Sequence, residues 1–546
     1  MKKVIVIGSG IAGLACSATC AKKGMQVLLL SPAPSERSQS VMASGGINAV
    51  LPGGEPGDNV ESHIEDTLRG GRYLSGKRAV TGLCQSAGQI LQDLERIGTV
   101  FSVDAAGAPK RRAFGGQSHK RTFYCGASTG KQIVTALIME ARKYESRGLI
   151  ERRLWCHFYK ALLREGVCYG AMIFDEKKKQ LETVTADALV IATGGQNSLF
   201  GKTTGSNMCD GYAVGRLFMQ GVALKNLEFI QYHPTTIETA QKKMLISEAV
   251  RGEGGRLFYE TNGRRVYFME EKYGPRGNLM TRDVISREIF LAPGPVYLDI
   301  SFLGKKAIDE KLPEVKEVCA KYRGIDICRE PIPVVPSVHF FMGGIAVHNN
   351  HETDMKGLFA VGECASMYHG ANRLGGNSLL AAIHSGRTAA NAIADEAAER
   401  VMREEDFSSE LAGEQARLEM SMASKSPFPV MYIRDMLAET MQRSLGIIRD
   451  EAGISAGLED VDYYLSVANR ISYDGSVSAY HNFSLTGILT LAKAALLSAK
   501  ARKESRGAHC RSDYPEEDEN YACATIVSYD GGSYTVSFDK EHAYES

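Results

Sequence analysis

The sequence predicts an α/β protein whose first domain is built on a doubly wound parallel sheet. Val4 to Ile7 is a continuous apolar run, and it leads into the glycine turn Gly8-Ser9-Gly10-Ile11-Ala12-Gly13. A helical pattern follows to about Lys23, and Gln26 to Leu30 has the pattern of a second strand. A strand, a glycine turn, a helix and a second strand in this order are typical of the opening of a Rossmann-like nucleotide-binding sheet.

Changes in the residue pattern divide the remaining chain into further parts. Helix and strand signals alternate to about residue 195, whereas residues 236–350 hold several Gly and Pro turns, which indicates an inserted module. Gly357 to Glu363 is again a strand followed by a glycine turn, so the chain returns to the first sheet. We therefore expect a discontinuous first domain over residues 1–235 and 351–400, an inserted α+β domain over 236–350, a helical domain over 401–512 and a tail over 513–546.

The C-terminal part carries its own local signals. A charged stretch from Glu399 to Asp406 predicts a linker. Leu437, Met441, Leu445 and Ile448 are spaced for one face of a helix. In the tail, Thr535 to Phe538 predicts an edge strand.

Composition excludes several classes of protein. The 546 residues are 44% hydrophobic and 23% charged, which is typical of a soluble globular chain of about two to four domains. The 64 basic residues balance 64 acidic ones, so we expect no nucleic-acid partner. No apolar stretch reaches the roughly 18 residues of a membrane span, so we expect no direct span. The twelve cysteines form no CxxC, which predicts buried thiols in a cytoplasmic protein and no zinc or iron–sulfur site.

A series of short motifs rich in Gly, His and Arg lies along nearly the whole chain: Arg37 to Asn48, Arg112 to Gly116, Thr129-Gly130, Ala192 to Gly195, His233 to Thr235, Ser247 to Gly255, Thr281 to Asp283, His339 to Gly344, Gly362 to Cys364, His369 to Leu379 and Arg506 to His509. In content and order, these motifs resemble those of the fumarate reductase and succinate dehydrogenase flavoproteins. The resemblance implies a Rossmann-like FAD-binding domain, an inserted α+β capping domain and a C-terminal helical domain.

The glycine turn has the chemistry that a dinucleotide needs, because glycines let backbone N–H groups approach a pyrophosphate at a helix N-terminus. One element departs from the usual pattern, since Ser31 stands where an acid usually ends the second strand and binds the adenosine ribose. Ser31 or Glu36 is the expected substitute. By resemblance, FAD contacts Gly8, Gly10, Ala12, Gly13, Ser38, Gln39, Ser40, Ser44, Gly45, Gly46, Ala192, Thr193, Gly194, Asp210, Glu363, Asn377, Ser378 and Leu379.

Gln39 is an informative departure from the family pattern. In most membrane-bound members, a histidine at this place in the R-S-H-[ST] motif bonds covalently to the flavin, whereas this chain reads Arg37-Ser38-Gln39-Ser40. An amide cannot form that bond, so we expect non-covalent FAD. Covalent attachment raises the flavin potential, and its absence favours fumarate reduction over succinate oxidation.

A small dicarboxylate needs cations and hydrogen-bond donors at both ends. Arg373 and His339 suit one carboxylate, and His233 and Ser247 suit the other. By resemblance, the reaction is hydride transfer at FAD N5 to one alkene carbon, with protonation of the other.

The proton donor implied by the resemblance is Arg282, supplied from solvent through Glu248 and Arg251. Arginine normally stays charged, so its proton loss must be nearly concerted with reprotonation through Glu248. The structural alternative is that Arg282 and Glu248 form only an ion pair.

Electrons must reach the site from elsewhere, because the chain has neither iron–sulfur ligands nor a CxxCH haem motif. By resemblance, the partner is an iron–sulfur subunit joined to a membrane anchor and a quinone pool. Arg506 to His509 and the tail are the expected contact. This arrangement places the protein in the cytoplasm or peripherally on the cytoplasmic face of the inner membrane.

Three other functions stay open at this point. L-aspartate oxidase is a relative that also lacks covalent flavin, and Leu245 to Gly254 is similar to its motif. Against it, aspartate oxidases carry a Glu near the loop 112–119 to meet the substrate ammonium, and residues 111–119 hold no acid here. The others are reduction of a different activated alkene by the same groups, and a flavin-containing binding protein without turnover.

Overall fold

The computed structural model describes residues 1–126, 128–396, 403–423, 428–472 and 477–540. Its α-helices, joined by loops and short 3-10 turns, are in chain order α1 (Ile11–Lys22), α2 (Val60–Gly70), α3 (Lys77–Arg96), α4 (Thr129–Glu145), α5 (Tyr212–Phe218), α6 (Ala249–Gly252), α7 (Phe268–Tyr273), α8 (Arg282–Leu291), α9 (Gly304–Lys311), α10 (Pro313–Arg323), α11 (Asn377–Asp395), α12 (Ser408–Ala423), α13 (Val430–Ser444), α14 (Glu451–Val467) and α15 (Ala479–Ala501).

The strands of the described residues are β1 (Lys3–Ile7), β2 (Gln26–Ser31), β3 (Ile47–Asn48), β4 (Arg111–Arg112), β5 (Thr122–Phe123), β6 (Ile150–Leu154), β7 (Cys156–Arg164), β8 (Val167–Asp175), β9 (Gln180–Thr185), β10 (Ala188–Ile191), β11 (Leu224–Lys225), β12 (Ile230–Glu238), β13 (Lys243–Leu245), β14 (Arg256–Thr261), β15 (Arg264–Val266), β16 (Val296–Asp299), β17 (Ile332–Phe341), β18 (Gly344–Ala346), β19 (Leu358–Ala360), β20 (Ala365–Ser366), β21 (Phe428–Pro429), β22 (Ile471–Ser472), β23 (Ala524–Asp530) and β24 (Ser533–Asp539).

A five-stranded parallel sheet forms the centre of the first domain. Its order is β19-β10-β1-β2-β6, with Val4 paired to Val27 on one side and to Ala188 on the other. Val4 and Val6 pack into one hydrophobic core, and Ile5 and Ile7 pack into another, because alternate side chains of a strand point to opposite faces. The predicted α/β fold with a parallel sheet is confirmed, and the carboxyl ends of β1, β2, β10 and β19 meet at one edge.

The glycine turn after β1 accepts no larger residue at two of its positions. A Cβ on Gly8, whose φ is +109°, would lie 2.3 Å from the carbonyl oxygen of Ala192. A Cβ on Gly13 would lie 1.8 Å from the carbonyl oxygen of Gly8. These close approaches bring the start of α1 directly under the carboxyl ends of β1 and β10.

The inserted module has a sheet of six strands in the order β13-β12-β17-β16-β14-β15. The strands of this sheet pair antiparallel, and the module has its own core, which includes Ile237, Leu257, Ile285 and Leu298. Strand β12 spans the predicted boundary at residue 235, so it joins the module to the first domain. Helix α8 packs against β12 and β17, which sets its N-terminal residue, Arg282, beside the junction.

The C-terminal part combines helices with a β-hairpin. Leu437 and Met441 are buried on α13 as predicted, but α13 ends at Ser444, so Leu445 and Ile448 lie beyond it. The hairpin of β23 and β24 joins a sheet in the order β20-β18-β11-β23-β24, so the predicted edge strand is present. The predicted linker at residues 399–406 lies partly outside the described residues.

Helix α15 corrects one expectation from the sequence. By length and composition it is apolar enough to cross a membrane, whereas we expected no such segment. However, 78% of its apolar window is buried inside the protein, with Leu485, Leu489 and Leu496 in the main core. Such burial is that of a core helix of a globular protein.

Candidate active site

A cavity of about 630 Å³ runs from the carboxyl edge of the parallel sheet to the inserted module. Most of the residues predicted to contact a dinucleotide line it, whereas Gly13 and Asn377 do not. Asn377 lies behind the wall, where its side-chain oxygen accepts a hydrogen bond from Asn48 Nδ2 at 2.7 Å. The predicted residues on the wall are Gly8, Gly10, Ala12, Ser38, Gln39, Ser40, Ser44, Gly45, Gly46, Ala192, Thr193, Gly194, Asp210, Glu363, Ser378 and Leu379.

The polar groups of this wall fit a dinucleotide. Ser38 Oγ and Gln39 Oε1 are buried and have no hydrogen-bond partner within the described residues. Buried polar atoms are normally satisfied, so these two groups need a polar ligand or ordered water in the cavity. Ser40 Oγ accepts a hydrogen bond from the backbone N–H of Ile11 at 3.2 Å, which ties the Ser38–Ser40 segment to the glycine turn.

The two expected substitutes for the missing ribose-binding acid differ in position. Ser31 lines the cavity at the end of β2, but its hydroxyl donates to the carbonyl oxygen of Ala33 at 2.8 Å. Glu36 is exposed and does not line the cavity. The structure therefore does not support Glu36 in this role.

At the other end of the cavity, a buried carboxylate lies between two arginines. Glu248 Oε2 accepts hydrogen bonds from Arg282 Nη2 at 2.7 Å and Nε at 2.9 Å. Its Oε1 accepts one from the backbone N–H of Gly115 at 2.7 Å and lies 3.5 Å from Arg251 Nη2. Burial would raise the pKa of Glu248, but the charges of Arg282 and Arg251 outweigh it and lower the pKa. The carboxylate is therefore ionised at neutral pH.

Arg251 stands behind Glu248 and does not line the cavity. Its side chain is fully buried, and Nη1 donates to the carbonyl oxygen of Asn278 at 2.9 Å. Its Nε and Nη2 have no hydrogen-bond partner among the described residues. Burial lowers the pKa of Arg251, and Glu248 opposes that shift.

Gln231 joins the two arginines of the cavity, and the sequence analysis missed it. Its Oε1 accepts from Arg282 Nη1 at 3.0 Å and from Arg373 Nη2 at 2.9 Å. Its Nε2 donates to Asn372 Oδ1 at 2.7 Å and to the carbonyl oxygen of Arg373 at 2.8 Å. Strand alternation places Gln231 two residues before His233, on one face of β12, and that spacing could have revealed it.

Two histidines complete this end of the cavity. The rings of His233 and His339 lie edge to face with centroids 5.1 Å apart. His339 Nδ1 is 2.8 Å from Thr204 Oγ1, and His233 Nδ1 is 3.1 Å from the carbonyl oxygen of Thr235. Burial, together with the charge of Arg282, holds the pKa of each ring well below its ordinary value. Both rings are therefore neutral hydrogen-bonding groups at physiological pH.

Ser247 and Arg373 both line the cavity. Ser247 lines the cavity, and its hydroxyl accepts from the backbone N–H of Ala249 at 3.3 Å. The guanidinium carbon of Arg373 lies 4.2 Å from the ring centroid of Phe340, and its Nε is buried without a partner in the described residues. Burial and the charge of Arg282 lower the pKa of Arg373 well below its ordinary value.

The buried charges at this end do not balance. In the described part of the chain, three buried guanidinium groups lie at this end beside Glu248, and the carboxyl of Glu363, whose pKa burial raises to about 7, also acts on Arg373, so the positive charges are in excess. Unpaired buried charge is costly, and an anionic ligand removes that cost. The site is therefore complementary to an anionic ligand. The three guanidinium groups are those of Arg251, Arg282 and Arg373.

Family models match nearly the whole chain. A model described as FAD binding domain matches residues 3–379, and one described as fumarate reductase flavoprotein C-term matches residues 434–544. A succinate dehydrogenase flavoprotein subunit of Bacillus subtilis is 35% identical, over 96% of this chain and 93% of its own length. An L-aspartate oxidase of Nostoc is 32% identical, over 96% of this chain and 93% of its own length.

Solved structures show the same likeness. A structure of E. coli quinol fumarate reductase FrdA superposes with a TM-score of 0.89 at 29% identity. The match covers 99% of this chain and 97% of the FrdA chain. The similarity therefore extends through the first domain, the inserted module and the C-terminal part.

Proposed function

Because the chain belongs to the fumarate reductase and succinate dehydrogenase flavoprotein family, we propose that it interconverts fumarate and succinate, with fumarate reduction as its working direction. As a member of this family, it is an FAD-dependent oxidoreductase acting on CH–CH groups. The observation that carries the proposal is the buried pair of guanidinium groups, Arg282 and Arg373, held at one point by Gln231.

Substrate binding in this proposal uses both sides of the cavity. Arg373 and His339 bind one carboxylate, and His233 and the hydroxyl of Ser247 bind the other. The unpartnered Nε of Arg373 supplies a donor that is free for this purpose among the described residues. The excess positive charge at this end attracts the dianion, and burial in the cavity strengthens each contact because water does not screen it.

Proton delivery in this proposal depends on Glu248. FAD, when bound, supplies the hydride to one alkene carbon of the substrate. Arg282 donates a proton to the other carbon. The ionised Glu248, which accepts hydrogen bonds from two of the Arg282 N–H groups, takes a proton from Arg251, 3.5 Å from its other oxygen, and passes it to Arg282. A proton from solvent then restores Arg251. The two hydrogen bonds from Arg282 to Glu248 allow transfer to be nearly concerted, as an arginine acid requires.

The cofactor is held without a covalent bond in this proposal. Gln39 lines the cavity, and its buried Oε1 has no partner in the described residues. An amide at this point can accept a hydrogen bond from the flavin but cannot form the bond that histidine forms. A lower flavin potential then follows, which favours reduction of fumarate.

A partner must supply the electrons. We propose an iron–sulfur subunit joined to a membrane anchor, which holds this chain peripherally on the cytoplasmic face of the membrane. The expected contact at Arg506 to His509 is largely buried, since Arg506 and His509 are 5% and 0% exposed. We therefore propose that the partner contacts the exposed acidic residues that pair with this segment, such as Glu517.

L-aspartate oxidase is the second candidate, and it is supported by the 32% identity to the Nostoc enzyme. Its substrate carries an ammonium group, which needs a carboxylate with a free oxygen. Aspartate oxidases carry that acid near the loop 112–119, and residues 111–119 of this chain hold none, while Glu248 is already bound to Arg282 and Gly115. The site therefore favours a dicarboxylate without an amino group.

Three assays, the first two of them anaerobic, test the assignment. Reduced viologen with fumarate, a dye acceptor with succinate, and L-aspartate under air are compared on one preparation. The proposal predicts fumarate reduction faster than succinate oxidation and no turnover of L-aspartate. Steady oxidation of L-aspartate without fumarate reduction would reverse the choice.

A further inference from the structure

Tyr480, in the first turn of α15, lies on the wall of the cavity, far along the chain from the other wall residues. Its hydroxyl lies 2.9 Å from both oxygens of Asp210, which also lines the cavity. Its ring stacks on His157, with centroids 4.1 Å apart and planes 23° apart. A residue of the C-terminal part therefore closes a cavity that the first domain forms.

The position of this pair along the cavity identifies the part of the ligand it meets. His157 follows β6, and β6 pairs with β2, where Ser31 lies opposite Leu154. In a dinucleotide-binding sheet, the glycine turn after the first strand meets the pyrophosphate and the end of the second strand meets the adenosine. The end that holds Ser31, His157 and Tyr480 is therefore the adenosine end.

Of the carboxylates that line the cavity, Asp210 is the one available to bind the adenosine. Four carboxylates of the described residues line the cavity. Glu248 is bound to Arg282, Glu314 belongs to the inserted module, and Glu363 accepts from the backbone N–H of Phe341 at 3.1 Å. Asp210 accepts from Tyr480 and from the backbone N–H of Tyr212 at 3.1 Å, and the lone pairs of a carboxylate leave room for further donors.

We propose that Tyr480 makes helix α15 part of the adenosine subsite. Its ring and His157 form a flat wall, and its hydroxyl orients Asp210 to accept a hydrogen bond from the amine or a ribose hydroxyl of adenosine. Arg434, on α13, supports the same carboxylate from 3.6 Å. Cofactor binding and docking of the C-terminal helices are then linked, because each holds Asp210 and Tyr480 in place. This inference rests on the proposed placement of FAD.

The test measures binding rather than turnover. Apoprotein from riboflavin-depleted cells is titrated calorimetrically with FAD and with ADP, which carries the adenosine and pyrophosphate part of FAD without the flavin. Tyr480→Phe keeps the ring and removes the hydroxyl, so both dissociation constants should rise by the same factor, about fivefold to thirtyfold. Tyr463→Phe, an exposed tyrosine of α14 that is 56% exposed, is the matched control and should change neither constant.

A double-mutant cycle separates this role from a general structural one. In an Asp210→Asn background, Tyr480→Phe should add less than a twofold change, because the hydroxyl acts through the carboxylate. Hydrogen exchange on the unmutated apoprotein gives an independent measure, since ADP should slow exchange in the first turns of α15.

Any one of three results would overturn the proposal. The ADP dissociation constant of Tyr480→Phe could lie within twofold of that of the unmutated protein, or Tyr480→Phe could raise it as much in the Asp210→Asn background as in the unmutated one. ADP could also leave hydrogen exchange in α15 unchanged. Failure of the unmutated protein to bind either ADP or FAD would overturn the placement of FAD as well.

Discussion

Glu248 holds Arg282 by two hydrogen bonds to a single oxygen, Oε2, from Nη2 at 2.7 Å and from Nε at 2.9 Å. The other oxygen is fixed by the backbone N–H of Gly115, so the carboxylate cannot turn away. Both side chains are buried, since Arg282 is 8% exposed and Glu248 is 2% exposed. The contact aligns the guanidinium group and places a base directly on it, which is the arrangement that proton donation by an arginine needs.

Removing the proton donor should abolish turnover but leave the cofactor bound. Arg282→Gln keeps a polar side chain without the charge, and fumarate reduction should fall by about 10²- to 10⁴-fold. Viologen oxidation measures the rate, and the absorbance of bound flavin measures occupancy. Arg329→Gln, at a side chain that is 87% exposed, is the control and should be unaffected. Unchanged activity in Arg282→Gln would mean that the ion pair is only structural.

Glu248→Gln should separate proton delivery from substrate binding. The amide cannot return a proton to Arg282, so kcat should fall by about 10²-fold or more. Loss of the carboxylate also raises the excess positive charge, so the dissociation constant of succinate should stay the same or decrease. Steady-state kinetics and succinate titration of the flavin spectrum measure the two effects. A variant with normal kcat and weaker succinate binding would contradict the relay.

Gln231→Glu should weaken substrate binding through charge alone. The side chain keeps its size, but its carboxylate pairs with Arg282 and Arg373 and competes with the dicarboxylate for them. The KM for fumarate should rise by about tenfold or more, which corresponds to at least about 1.4 kcal/mol. Gln231→Met is a useful comparison, since it removes the bridge without adding charge and should have a smaller effect on KM. Equal effects of the two variants would contradict the charge argument.

Glu363 should make stability depend on pH. Burial raises the pKa of Glu363 from its ordinary value to about 7. Because the folded pKa is the higher one, the stabilisation is complete below about pH 4.5 and is lost as the pH rises to about 7. The loss is on the order of 1 to 3 kcal/mol, since the side chain is open to the cavity on one side. Melting midpoints should fall less between pH 5 and 8 in Glu363→Gln than in the unmutated protein. If the two plots of melting midpoint against pH run parallel, Glu363 is not the source of the pH dependence.

The flavin should leave the protein on acid precipitation. The account predicts all of the yellow colour in the supernatant, because Gln39 cannot bond to the ring. Flavin retained in the pellet would show a covalent bond made by another residue. The same assay on Gln39→His measures whether imidazole at this point restores attachment.

The sequence predicted those parts of the fold and of the site that are encoded in short, continuous segments of the chain. The glycine turn and the parallel sheet follow from the apolar run of β1 and from steric limits at Gly8 and Gly13 that only glycine meets. Gln231 and Tyr480 were not predicted, since each becomes part of the site only when separate segments pack together. The local pattern of α15 predicts a buried helix face and says nothing of a hydroxyl at its first turn. Glu36 does not line the cavity, because position after a strand does not fix the direction of an exposed loop.

The most direct test of the central claim compares fumarate with crotonate, in which a methyl group replaces one carboxylate. Each has a double bond conjugated to a carboxylate, so the ratio of their kcat/KM values measures what the second carboxylate contributes through its contacts and through activation of the alkene, and the ratio of their dissociation constants on the oxidised enzyme isolates the contacts. With Arg282, Arg373 and two neutral histidines around a dianion, the account predicts a preference for fumarate of about 10³-fold or more. A ratio near one would show that the buried cations do not bind two carboxylates, and the assignment would be wrong.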